Sequence, residues 1–75
     1  MFAIFLPKLN KYARRMSYGS VALVKLPEQG TLYSRLSDAT YRKKDIITYL
    51  GSIKPVYATV EIHEISFTHK VVKVI

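Results

Sequence analysis

Only one stretch of this chain, residues 31–51 (TLYSRLSDATYRKKDIITYLG), carries a clear helical pattern, and nearly everything around it reads as sheet. Within it Ala39, Ile46, Ile47 and Leu50 share one face at about 100° per residue. Ser37 and Asp38 are suited to capping the start, where side-chain oxygens accept from backbone N–H groups that the first turn leaves unpaired. Asp38 also sets negative charge at the positive end of the helix dipole, four residues before Arg42 in the favourable order. Gly51 stands where a left-handed C-terminal cap is usual. The pattern predicts a helix over residues 37–50. Lys43 falls near the middle of the apolar face, its stem along the edge of the core and its amine in water. Tyr41, Lys44 and Thr48 face the other way.

A lone helix must bury its stripe against another layer, and the flanking segments supply strands. Residues 2–6 are a continuous apolar run ended by Pro7, as expected of a strand paired on both sides. Residues 11–16 are ambiguous. Leu9, Tyr12, Ala13 and Met16 have helical spacing, whereas a strand there would carry charge on both faces and suit a sheet edge. Tyr18-Gly19-Ser20 signals a turn. Residues 21–26 form a β-branched, apolar strand closed by Pro27, and residues 31–33 form a short one leading to the helix. Residues 57–67 are the strongest strand, with Ala58, Val60 and Ile62 alternating against Thr59, Glu61 and His63 on a wet face. The apolar phase then slips to Ile65 and Phe67, which predicts a bulge near His63-Glu64 or a change in which face is covered. Thr68-His69 reads as a turn and residues 70–75 as a last strand, with Val72 and Val74 on one side.

The expected architecture is a single α+β domain over residues 1–75. It has a small, mostly antiparallel sheet of three to five strands with the helix packed on one face. The expected core is Phe2, Ile4, Leu6, Val21, Leu23, Leu32, Ala39, Ile46, Leu50, Val60, Ile62 and Val72. A chain of 75 residues buries only about 60% of its unfolded surface, so pairing with a second copy through an edge strand would help it.

Composition excludes several functions. With no cysteine there are no disulfides or thiolate metal sites. No apolar run approaches the roughly 18 residues of a membrane span, and residues 1–7 are too short for a signal peptide. The expectation is a soluble, cytoplasmic protein that engages no membrane. Glu61 and His63 share a strand face, but two ligands do not make a metal site. No nucleophile elbow, carboxylate pair or phosphate-cradling glycine loop is present, so neither an enzyme nor a cofactor is expected.

What remains is charge. Twelve basic residues face five acidic ones, for a net charge of +7, and residues 1–27 hold five basic residues and no acid. Such a balance favours an acidic partner, either nucleic acid or an acidic protein surface. The candidate binding residues are Lys11, Tyr12, Arg14, Arg15, Tyr18, Arg35, Tyr41, Arg42, Lys43 and Lys44. The cations would meet phosphates, and Tyr12, Tyr18 and Tyr41 could stack on unpaired bases. No helix-turn-helix, zinc-finger or RNP-type motif accompanies them.

The succession F-A-I-F, K-Y-A-R-R, S-Y-G-S, T-L-Y-S-R-L-S-D-A and V-E-I-H-E-I resembles a type of small phage-encoded accessory protein over residues 2–65. The resemblance implies a hairpin of residues 2–6 with 11–16, then a strand, a helix and a closing strand. It also implies a protein made in the host cytoplasm that acts by binding. Its motifs are structural, so no functional residue is carried over. The basic run 42–44 and the tail 66–75 depart from it. Three functions follow: nucleic-acid binding through the basic residues, inhibition or modulation of a host protein through an acidic surface on it, and a structural or virion-associated role.

Overall fold

The computed structural model describes residues 1–75, except for the side chains of Tyr18, Val56 and Tyr57. Five strands form one antiparallel sheet: β1 (Phe2–Leu6), β2 (Lys11–Arg15), β3 (Val21–Val24), β4 (Glu61–Ile65) and β5 (Val71–Val74), in the spatial order β3-β2-β1-β4-β5. One helix, α1 (Leu36–Ile53), packs on one face of it. The α+β architecture is the one expected. Among the described residues, no helix is long and apolar enough to cross a membrane.

β1 is the central strand, which is why it is apolar at every position: both of its faces are covered. Its hairpin with β2 pairs Leu6 with Lys11, and Asn10 closes the loop at φ 52°, a left-handed conformation that asparagine tolerates. Residues 11–15 are therefore strand, and they lie inside the sheet between β1 and β3 rather than at an edge. The edges are β3 and β5.

The hairpin arms part beyond Phe5 and Tyr12, and residues 31–33 enter the gap. Phe2 and Tyr33 exchange both backbone hydrogen bonds, at 2.7 and 2.8 Å. On the other side the Thr31 N–H donates to the Ala13 carbonyl at 3.2 Å, and the Arg15 N–H donates to Thr31 Oγ1 at 2.7 Å. Side chains alternate along this inserted segment. Tyr33 thus joins the core under the helix, and Leu32 joins a second core on the far face. Gly30 admits the segment, since a Cβ there would sit 3.0 Å from the Ala13 carbonyl oxygen and 3.4 Å from Tyr12 Cβ.

The helix-side core is Ile4, Leu6, Ala13, Ile46 and Leu50, with Leu9, Val21, Leu23, Tyr33 and Val60 around it. Ile4, Leu6 and Ile46 are essentially solvent-free, and each contributes about 1.5–3 kcal/mol through burial. The far-face core is Ala3, Tyr12 and Ile65, flanked by Phe5, Val24 and Leu32. Most of the expected core is buried or half-buried, but Val72 is exposed because β5 is an edge strand that nothing covers.

Three expectations need correction. The helix runs past Gly51 to Ile53 and stops where Pro55 forces the preceding Lys54 into extended backbone. Its first residue follows Arg35, which makes no side-chain cap, so neither Ser37 nor Asp38 caps it. The strand expected over 57–67 is only Glu61–Ile65, because Pro55–Ala58 coils into a 3-10 turn packed on the end of α1. The phase slip after Ile62 marks a change in which face is covered and not a bulge in β4: Ile65 keeps the strand's alternation and enters the far-face core, while the register shift opposite Glu64 and Ile65 leaves Val72 of β5 as the extra residue.

Two glycine substitutions test this geometry with opposite signs. Gly51→Ala should raise stability in urea denaturation by roughly 0.5–1 kcal/mol, the gain from replacing a helical glycine. Its added methyl would meet only Ala58 Cβ, at 3.5 Å. A left-handed cap at Gly51 would give a loss instead. Gly30→Ala should cost about 1–3 kcal/mol through the overpacked contacts with Ala13 and Tyr12.

Candidate functional site

Adjacent residues on a strand point to opposite faces, and this divides the basic residues of β2. Lys11 and Arg15 take the helix side with Ala13, while Arg14 takes the far side with Tyr12. Lys11 is half-buried, and Arg14 and Arg15 are exposed. Arg35 is exposed at the start of α1. On the helix, Tyr41 and Lys44 are exposed while Arg42 and Lys43 are half-buried, as the Lys43 stem was expected to be. Arg42 pairs with Asp45 at 3.4 Å, one helical turn on, rather than with Asp38. Its guanidinium also lies 5.3 Å from the centre of the Tyr41 ring, in reach of a cation–π contact. The Tyr18 side chain lies outside the described residues.

Tyr12 does not meet the expectation of a base-stacking group. It is 5% exposed, and its hydroxyl donates to His63 Nδ1 at 2.9 Å. The two residues stand on β2 and β4, with β1 between them, so the bond spans two strand spacings, about 9.6 Å. Ala3, opposite His63 on β1, is small enough to leave the phenol that path. His63 Nε2–H in turn donates to Glu61 Oε1 at 3.1 Å. A carboxylate only accepts, so this chain fixes the ring proton on Nε2 and leaves Nδ1 to accept from Tyr12. Phe5 completes the cluster, 4.5 Å from the His63 ring and 4.9 Å from the Tyr12 ring.

His63 is therefore buried, against the expectation of a wet-face residue. Ile65 could have signalled this, because it shares the parity of Glu61 and His63, and its apolar side chain showed that this face is covered as well. The Glu61–His63–Tyr12 chain is a strut across the sheet. The cavity of about 390 Å³ at the β4–β5 end is lined by other residues, among them Met1, Ile65, Phe67 and Val72. Among the described residues, no three histidine, aspartate or glutamate side chains gather as a metal site would require.

Arg15 on the sheet and Arg42 on the helix both act electrostatically on Tyr33. Burial pushes the Tyr33 phenol above the ordinary tyrosine range; the charges of Arg15 and Arg42 pull it down, and Asp45 pushes it up. Both guanidinium groups thus lie within electrostatic reach of one hydroxyl. Sequence reasoning placed Tyr33 only in the short strand leading to the helix and had no means of linking it to these two arginines.

No protein-family model, curated protein or solved structure matches this chain.

The strut makes two predictions. Tyr12→Phe should lower stability by about 1–3 kcal/mol in chemical denaturation, because His63 Nδ1 is left buried without a donor. Burial also raises the Tyr12 phenol above its ordinary value, so the folded chain holds this proton more tightly than the unfolded one. That contribution is complete below about pH 10 and is lost as the pH rises through the folded value. Denaturation midpoints should therefore fall in the alkaline range, with a shallower slope in Tyr12→Phe than in the parent chain.

Proposed function

We propose that this is a non-enzymatic binding protein whose basic groups hold the phosphate backbone of a nucleic acid. The observation that carries the reading is the charge surplus. Five acidic residues can neutralise at most five of twelve cations, and the charges of Arg15 on β2 and Arg42 on α1 both act on Tyr33. Cations concentrated in this way attract polyanions and release their counterions on binding. Arg14, Arg35, Lys43 and Lys44 extend the field over other faces, and Tyr41, which is 64% exposed, is the tyrosine best placed to stack on an unpaired base. The resemblance to small phage-encoded accessory proteins supports action by binding in a host cytoplasm.

A second reading rests on β5. This edge strand is exposed along its whole length, and Val71, Val72, Val74, Ile75 and Phe67 present apolar surface beside the β4–β5 cavity. An edge of this kind can extend the sheet of another protein, here a host protein with an acidic surface, or pair with a second copy of this chain.

Fluorescence anisotropy with short duplex DNA, single-stranded DNA and RNA separates the two. The nucleic-acid reading expects binding at about 50 mM salt that weakens steeply toward 200 mM, with a log–log slope near −0.9 per phosphate neutralised on a duplex. Absence of binding at the lower salt rejects it and leaves the β5 edge as the working surface.

A further inference from the structure

The backbone of β5 is set to take another strand along its outer side. Lys70 and Ile75 turn their backbone groups inward: the Lys70 carbonyl accepts from the Ser66 N–H at 2.9 Å, and the Ile75 N–H donates to the Ile62 carbonyl at 2.8 Å. Bonding direction alternates along an antiparallel strand, so the neighbours Val71 and Val74 aim their N–H and C=O groups out of the edge. They are three residues apart and still bond the same way because the extra residue, Val72, lies between them. The other edge is less open: β3 is half-buried throughout, whereas β5 is exposed throughout.

The side chains of the same two valines border an unfinished core. Val71 stands opposite Ile65 and Val74 opposite His63, which places both on the far face. Ile65 and His63 are 3% and 6% exposed, but Val71 and Val74 are 44% and 53% exposed. The far-face core therefore reaches β5 and has no outer wall there.

We propose that the wall is β5 of a second copy of this chain, paired antiparallel about a two-fold axis through the bulge. The strand is its own complement in this register. Val71 lies opposite Val74 of the second copy, and Val74 opposite its Val71, so the outward-bonding residues meet twice. An axis perpendicular to the sheet continues each far face into the other, and the four valines join the two far-face cores. Lys73 of each copy comes near the axis on the helix side, and Glu64 opposite it on β4 offsets the repulsion. The proposal rests on the second reading above, in which β5 is an edge open to pairing, and it names the occupant and the register. A seam this short buries less than the roughly 1,200 Å² of a stable complex, so the dimer is a weak one.

The test is sedimentation equilibrium of the full chain from about 10 μM to 1 mM, the range in which weak pairing is populated. The parent mass should rise with concentration from one copy toward two. Val71→Lys with Val74→Lys sets like charges opposite each other twice and should weaken association about 10-fold or more. Val71→Glu with Val74→Lys sets opposite charges at the same places and should recover it. Thr40→Lys with Thr48→Lys adds the same charge as the first variant on the exposed helix face and should change association little. Circular dichroism melts at low concentration check that every variant folds.

A parent chain that stays monomeric throughout would overturn the second copy and leave β5 open only to a different protein. A dimer that the β5 lysines weaken no more than the helix lysines would overturn the seam and remove β5 as the pairing edge. Loss with the β5 lysines and no recovery with the opposite charges would keep the edge and overturn the register.

Discussion

The rest of this structure depends on three residues of main chain. Residues 31–33 bond to Phe2 on one side and to Ala13 on the other, filling the gap between two strands of a hairpin that has opened. The pairing satisfies backbone groups of β1 and β2 that would otherwise be buried without partners. It also delivers Leu32 to one face of the sheet and Tyr33 to the other, so a single insertion contributes to both cores. The approach is close enough that Gly30 is the natural residue at its entrance. It also sets the exit direction of the chain into α1, which begins three residues later.

A sheet with only one helix has an open face, and this chain closes it without a second helix. Phe5, Tyr12 and His63 lean on one another with ring separations of 4.5–5.5 Å, and Tyr12 and His63 join by a hydrogen bond across the intervening strand. Aromatic pairs in such geometry are worth about 0.5–1.5 kcal/mol beyond their buried area. The polar atoms this places in the interior form a continuous chain from phenol to imidazole to carboxylate, which is how a buried histidine avoids a desolvation penalty. In a domain this small, such a strut matters more than it would in a larger one, because little apolar area is available to offset a loss. The strut lies on the far face, apart from the exposed apolar edge at β5.

Much of the fold was legible in local pattern. The apolar run of β1 signalled a strand covered on both faces, and the stripe of Ala39, Ile46 and Leu50 signalled a helix lying on a sheet. The phase slip after Ile62 signalled that the covered face changes along β4, where Ile65 enters the far-face core. The candidate site was less legible. Lys11, Arg14, Arg15 and Arg42 were named from charge alone, and charge density says nothing of which side of a strand a cation takes. Tyr12 was grouped with the cations because it stands among them, yet alternation sends it into the far-face core. His63 was assigned to water because its neighbours Thr59 and Glu61 are polar, and the covering of that face comes from residues far along the chain.

The sequence by itself determined the periods, the breaks and the sign of the charge. Those follow from neighbours one to four residues apart, through side-chain direction, turn chemistry and a cation count that no arrangement of five acids can cancel. Only the tertiary structure decided which strands are edges, that both faces of the sheet are covered, and that the charges of Arg15 and Arg42 both act on Tyr33. These are pairings between distant segments, set by which strands close against one another and by a three-residue insertion whose partners, Phe2 and Ala13, lie well before it in the chain. A periodic pattern specifies the face a residue takes; what stands opposite that face is specified by the packing of the whole chain.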